Sequence, residues 1–245
     1  KIDTLRSQNK YFLCKSFPTI AGSGKNGAIV HYIPNKLTNR KFDKKDILLL
    51  DSGGQYKLGT TDVTRTLIVG KAEKNQAVSY TQVLKSHIKL SSAIFPRGTS
   101  GAFLDYLTRS KLWEAGKDYA HGTGHGVGYF LNVHEGPFSI SKNNNIALEE
   151  GMVFSNEPGY YLENKFGIRI ENLVTVKKKI INKKDFFKIE TLTLAPYDTD
   201  LIKKNLLTEK ELLWINNYHK EMFNKISPYL TKNEKNWLLK EIRKI

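Results

Sequence analysis

Residues 47–50 read ILLL and run directly into an acid, Asp51, with Ser52-Gly53-Gly54 behind it. Four successive aliphatic side chains indicate a buried strand. A carboxylate at the end of such a strand is costly to bury without a partner. The conflict recurs three more times. Asp62 opens VTRTLIV (63–69), a β-rich run stopped by Gly70. Glu157 follows MVFSN, and Glu171 follows GIRI. Eleven residues separate Asp51 from Asp62, and fourteen separate Glu157 from Glu171. A turn-rich segment lies inside each interval, so two hairpins with an acid on each arm satisfy both spacings. Taken singly, each acid also fits a surface turn. Taken together they predict two carboxylate pairs in an apolar neighbourhood, where a cation removes the cost of burial.

A second feature is HGTGHGVGYFLNVH (121–134), with three of the six histidines and four glycines. Each glycine costs up to about 1 kcal/mol in a helix interior, so a helix is not expected. The stretch is not an HExxH zinc helix, because Gly122 stands where that motif needs Glu. The glycines would let the backbone approach a substrate closely and turn freely. Hard carboxylate oxygens with an imidazole suit Mn, Co, Zn or Fe. Four negative charges match two divalent cations, which can share a water, lower its pKa and clamp a tetrahedral transition state. The one cysteine, Cys14, excludes an internal disulfide and a cysteine-rich metal site and has no assigned role. A reducing, cytoplasmic location is the default.

The remaining pattern predicts a helix opening within 2–20, helices over 72–95 and 101–115, and strands over 152–157 and 167–176 joined at Pro158-Gly159. Two C-terminal helices are marked by the capping boxes Thr208/Glu211 and Thr231/Glu234. The expected class is α+β, with a catalytic domain over 1–200 and a helical extension over 201–245. No apolar run approaches a membrane span, and no signal-peptide pattern is present. The chain opens on Lys1 rather than Met, as a piece of a longer protein would. The net charge of +15 is spread over the whole chain, so it reads as a solvated surface, with no nucleic-acid or membrane partner. His87 and His219, on helices, read as surface or structural.

The runs DSGGQYKLGTTDVTRT (51–66), HGTGHGVGYFLNVHEGP (121–137) and SNEPGYYLENKFGIRIEN (155–172) resemble the three metal-site blocks of the aminopeptidase P family, the Xaa-Pro aminopeptidases. The resemblance covers essentially the whole chain. Its final helices resemble the C-terminal extension of the eukaryotic cytosolic form. It implies the pita-bread fold: curved, mostly antiparallel sheets backed by helices, shared with prolidase and methionine aminopeptidase. Members of this type carry further N-terminal domains, absent from this chain. The resemblance implies two metal ions, Mn²⁺ most often and Zn²⁺ or Co²⁺ as alternatives, on Asp51, Asp62, His125, Glu157 and Glu171. Asp62 and Glu171 would bridge the metals. A hydroxide held between the metals would attack, with Glu157 as general base. His31 and His134 would hold substrate and stabilise the tetrahedral intermediate. His121 would line a proline pocket, with Tyr161 and Arg169 near it. The implied substrates are peptides with a penultimate proline, and the implied assembly is a homodimer through Trp214, Met222, Phe223, Trp237 and Leu238. Prolidase, methionine aminopeptidase and a non-enzymatic binding module of the same fold are the alternatives.

Overall fold

The computed structural model describes all 245 residues. The chain opens with the short helix α1 (Ile2–Ser7), then β1 (Phe12–Lys15) and β2 (Ile20–Ser23). The predicted helix within 2–20 therefore stops after two turns. β3 (Ile47–Ser52) and β6 (Val63–Ile68) flank the small pair β4 (Gly54–Tyr56) and β5 (Gly59–Thr60). Helix α2 (Lys74–Ser91) leads to β7 (Ile94–Pro96) and α3 (Gly101–Trp113). The segment predicted to end the first long helix thus leaves it: Pro96 biases Phe95 towards extended backbone, and Ile94 and Phe95 pair with Lys188 and Phe187.

Two short strands, β8 (Gly124–His125) and β9 (Ser139–Ile140), follow. Then come β10 (Val153–Asn156), β11 (Gly159–Leu162), β12 (Phe166–Arg169), β13 (Asn172–Ile181) and β14 (Lys184–Thr191). The single strand expected over 167–176 is two, broken at Ile170 and Glu171. Helices α4 (Glu209–Ile226) and α5 (Lys232–Glu241) close the chain, each started by the predicted capping box.

All strand pairs are antiparallel, in the orders β2-β3-β6, β1-β4-β5, β8-β9, β11-β12 and β10-β13-β14-β7. The β3–β6 ladder ends at Ser52 opposite Val63, and the β10–β13 ladder ends at Asn156 opposite Asn172. Both ladders stop where the acids stand. The chain leaves each one to build an inner hairpin, β4–β5 or β11–β12, and returns. The predicted hairpins exist, but a second hairpin replaces the single turn expected in each.

One core cluster joins Ile47 of β3, Tyr80, Val83 and Leu84 of α2, Ile168 of β12, and Tyr197, Leu201, Ile215 and Tyr218. It runs without interruption across position 200, where the helical extension was expected to begin. A second cluster packs Leu90 of α2 and Leu104 of α3 on Phe154, Val174 and Phe187. Each fully buried aliphatic or aromatic side chain contributes about 1.5–3 kcal/mol, so α2, which feeds both clusters, ties the two halves together. His87 and His219 are 0% and 2% exposed, which rules out the surface reading and leaves the structural one. Of the aromatic and apolar residues expected on a dimer face, Met222 and Leu238 are buried within the chain itself, while Trp237 is exposed.

Candidate metal centre

Asp51 sits in β3 opposite Thr64, and Asp62 lies one residue before β6. Glu157 and Glu171 stand just beyond the last pair of the β10–β13 ladder. The two ladder ends are stitched together: the Glu171 amide donates to the Thr64 carbonyl at 3.1 Å, and the Thr64 hydroxyl donates to Glu171 Oε2 at 2.8 Å. Four carboxylates 120 residues apart at the extremes therefore meet in one cavity of about 460 Å³.

His125 enters from β8. Its amide donates to the Ser155 hydroxyl at 2.9 Å, which in turn donates to Glu157 Oε1 at 2.8 Å. Gly124 is required here, since a Cβ on it would lie 1.7 Å from the Ser155 carbonyl oxygen. A Cβ on Gly126 would lie 2.2 Å from the Glu135 carbonyl oxygen. These two glycines are thus explained by main chain packed against main chain. Turning freedom, expected from the sequence, is not the cause, because none of the glycines in this stretch has positive φ, while Gly122 and Gly124 do line the cavity.

The imidazole of His125 decides what the cluster can hold. Its Nδ1 lies 3.0 Å from the Gly126 carbonyl oxygen, which can only accept. Nδ1 is therefore a donor, which leaves Nε2 to turn its lone pair to the acids in the tautomer a ligand needs. That lone pair faces Glu157 Oε1 at 3.3 Å and Asp62 Oδ2 at 3.5 Å. The donor atoms of Asp62, His125 and Glu171 all lie within 4.8 Å of one another. Asp51 Oδ1 and Asp62 Oδ1 are buried without any hydrogen-bond partner. Acceptor atoms converging in this way form a candidate cation site. Four carboxylates against one guanidinium leave ample negative charge for two divalent ions.

Electrostatics agrees. Burial raises the Asp62 carboxyl well above its ordinary range, and Asp51 beside it adds to the shift. Burial raises Glu171 likewise, reinforced by Asp62. Asp51 is raised by burial despite Arg169, whose Nη2 donates to it at 2.7 Å. Without a counter-charge, these acids favour protons.

His31, His121, His134 and Arg169 also line the cavity. The rings of His134 and His125 stand 4.1 Å apart. Burial, then His125, lowers the His134 pKa, so its ring is neutral at pH 7. His121 has both nitrogens engaged, Nδ1 with the Gly122 carbonyl at 2.7 Å and Nε2 with the Tyr161 hydroxyl at 2.8 Å. Tyr161 accepts from Arg169 Nη1 at 2.7 Å. Arg169 thus braces Asp51 on one side and, through Tyr161, His121 on the other. Tyr161 stands behind the wall and does not line the cavity. The apolar part of the wall is Phe17, Pro18, Ile20, Val30, Ile33 and Val133. Val133 falls within the histidine-rich stretch and Val30 stands beside His31, while nothing local in the sequence marks Phe17, Pro18, Ile20 and Ile33.

Carboxylate-bearing hairpins closing on an imidazole form a candidate two-metal centre in a fold of the pita-bread class. The chain belongs to metallopeptidase family M24, whose model matches residues 1–178, while the model of the C-terminal region of that family matches 185–245. A probable Xaa-Pro aminopeptidase P from Arthroderma otae is 46% identical over 254 aligned residues, covering 100% of this chain and 41% of that protein. Aminopeptidase P1 from Lotus japonicus is 46% identical over 98% of this chain and 37% of its own length. The chain therefore spans about two fifths of these relatives. Among solved structures, X-prolyl aminopeptidase from Caenorhabditis elegans, described as a cytosolic enzyme with a di-nuclear active site, superposes with a TM-score of 0.93 at 41% identity, over 100% of this chain and 41% of that one. A prolidase from Thermococcus sibiricus superposes with a TM-score of 0.69 at 33% identity, over 80% of this chain and 50% of that one.

Proposed function

We propose that this chain carries the two-metal centre of an aminopeptidase that cleaves the bond between an N-terminal residue and a penultimate proline. The observation that carries the reading is Nε2 of His125 set against unpartnered carboxylate oxygens in a single cavity. The likeness to Xaa-Pro aminopeptidases supports the substrate class. Asp51, Asp62, His125, Glu157 and Glu171 would hold the ions, with Mn²⁺ as the native pair. When bound, such a pair supplies Lewis acidity for the scissile carbonyl and lowers the pKa of a water.

The chain's own groups do the rest. Ser155 holds Glu157 Oε1, which fixes the carboxylate that takes the proton and passes it to the departing proline nitrogen. His134, neutral at pH 7, and His31 donate to the oxyanion from the cavity wall. His121, with both nitrogens already engaged, offers its ring rather than a free N–H, as a wall for a proline ring requires. An Xaa-Pro bond is a tertiary amide without an N–H, so a site that grips the amine and the carbonyl suits it.

A catalytic unit over 1–200 with an extension over 201–245, a cytoplasmic location and a homodimer belong to the same proposal. Trp237 of α5, 57% exposed, supports a dimer contact. Sedimentation of Trp237→Glu tests it. No helix is long and apolar enough to cross a membrane.

The deciding experiment is an assay of chelated and Mn²⁺-restored protein on Xaa-Pro-Yaa tripeptides and Xaa-Pro dipeptides. Tripeptide cleavage restored by Mn²⁺ is expected. Cleavage of dipeptides alone would favour prolidase, the reading that the Thermococcus structure supports.

A further inference from the structure

Each side of the β10–β13 ladder reaches its acid through an asparagine. Asn156 precedes Glu157, Asn172 follows Glu171, and the two face each other in register. Both are fully buried, and neither lines the cavity. One imidazole on α2 joins them. His87 Nδ1 lies 3.1 Å from the Asn156 carbonyl oxygen, and Nε2 lies 3.0 Å from the Tyr197 hydroxyl. Because a carbonyl only accepts, Nδ1 carries the proton and Nε2 accepts.

That one assignment sets the direction of every other bond. Tyr197 donates to Nε2 and accepts from Asn172 Nδ2 at 2.8 Å. Asn172 Oδ1 accepts from Arg65 Nη2 at 2.7 Å, and Arg65 Nη1 donates to the Glu171 carbonyl. Asn156 Nδ2 donates to the His87 carbonyl and to the Ser91 hydroxyl, both at 2.9 Å. The network thus closes on the main chain beside both acids. Burial, with Arg65 acting in the same direction, pulls the His87 pKa down to about 3, so the ring stays neutral and the order of donors holds.

We infer that His87 is a positioning residue for the metal centre: through Asn156, and through Tyr197 and Asn172, it fixes the spacing of the two strand ends that carry Glu157 and Glu171. This rests on the reading of those acids as ligands. Ligand placement must hold to within roughly 0.5 Å for a site of this kind, and loss of groups that orient ligands typically costs about 10–100-fold in metal affinity. A residue that merely fills the core would change stability and leave affinity alone.

The test titrates demetallated full-length chain with Mn²⁺ in a calorimeter and counts bound metal by elemental analysis. His87→Phe keeps a flat ring and removes both nitrogens. It is expected to bind at least one of the two ions about 10–100-fold more weakly, with kcat reduced and KM within about twofold. Tyr197→Phe should move affinity the same way by less, because Asn172 Nδ2 already stands 3.3 Å from His87 Nε2 and can close the gap. His87→Asn, which returns a donor near Nδ1, should recover part of the loss. Val83→Ala, a fully buried position on the same helix outside the network, should lower Tm with Mn²⁺ affinity unchanged. Wild-type affinity in both His87→Phe and Tyr197→Phe overturns the inference, as does an equal affinity loss in Val83→Ala. If His87→Phe does not fold, Tyr197→Phe decides alone. A wild-type chain that binds two Mn²⁺ but cleaves no Xaa-Pro peptide would end the proposed activity and leave this inference standing.

Discussion

Arg169 Nη2 lies 2.7 Å from Asp51 Oδ2, and both side chains are buried. Asp51 Oδ1 has no partner, so the guanidinium takes one oxygen and leaves the other to the cavity. The pair divides a carboxylate between an internal cation and an incoming one. Arg169→Gln removes the internal cation. Breaking a buried pair costs about 3–5 kcal/mol, so the metal-free variant should melt well below wild type. Mn²⁺ should restore much of the loss, because the ion supplies the missing charge. Thermal scans with and without Mn²⁺ check this, and an equal deficit in both would sink it.

Proton linkage follows from Asp62 and Glu171, both raised by burial and then by neighbouring acids. A carboxyl raised on folding binds more protons in the folded state. Its contribution is fully present below the unfolded value, near 4, and fades as pH climbs through the raised folded value. Metal-free protein should therefore lose stability from this cluster as pH rises above the unfolded carboxyl range. Mn²⁺ replaces those protons, so binding should release protons, and the release should shrink as pH rises. Calorimetry in buffers of different ionisation enthalpy measures it. Identical heats in all buffers would contradict the shifts.

His125 and His134 lie ring against ring, and the proposed site gives them different parts. His125→Ala should bind less than two metals per chain. His134→Ala should keep both and lower kcat by roughly 10²–10³-fold, as loss of an oxyanion donor does. Elemental analysis of the two variants separates the roles. Metal loss in His134→Ala would make it a ligand.

Glu157→Ala should abolish turnover, since it removes a ligand and the proton acceptor together. Activity near wild type on an Xaa-Pro-Yaa peptide would reject both roles.

Gly124→Ala should unfold or strongly destabilise the chain, because its Cβ would lie 1.7 Å from the Ser155 carbonyl oxygen. Gly122→Ala meets nothing nearer than 3.4 Å and should fold with both metals bound. Similar melting temperatures for the two would undo the packing explanation.

The four acids were legible as carboxylates set among apolar strands, while His125 was separated from His121 and His134 only by the resemblance to the aminopeptidase P blocks. Asp51 follows four aliphatic residues, and Glu171 follows GIRI. Strand pairing then places acids at ladder ends, as the spacing predicts, although two inner hairpins intervene. The capping boxes of α4 and α5 were equally legible, since an N-cap bonds to a residue three positions away. β14 was not foreseen: its alternation of lysine with Phe187 and Ile189 is weak, and its partners are β13 and β7. β7 was misread as the end of a helix for the same reason.

By itself the sequence showed the makings of a cation site: four carboxylates on strands whose apolar residues force the acids inward, a histidine-rich loop and no thiolate cluster. Only the tertiary structure decided which other polar groups serve that chemistry. Arg169 reaches Asp51 across 118 residues, Thr64 reaches Glu171 across 107, and His87 reaches Asn156 across 69. Periodicity and spacing carry information over a turn or a hairpin. A hydrogen bond between distant segments depends on how whole elements pack, so His87 on its helix looks like any other histidine until α2 is laid against β10 and β13.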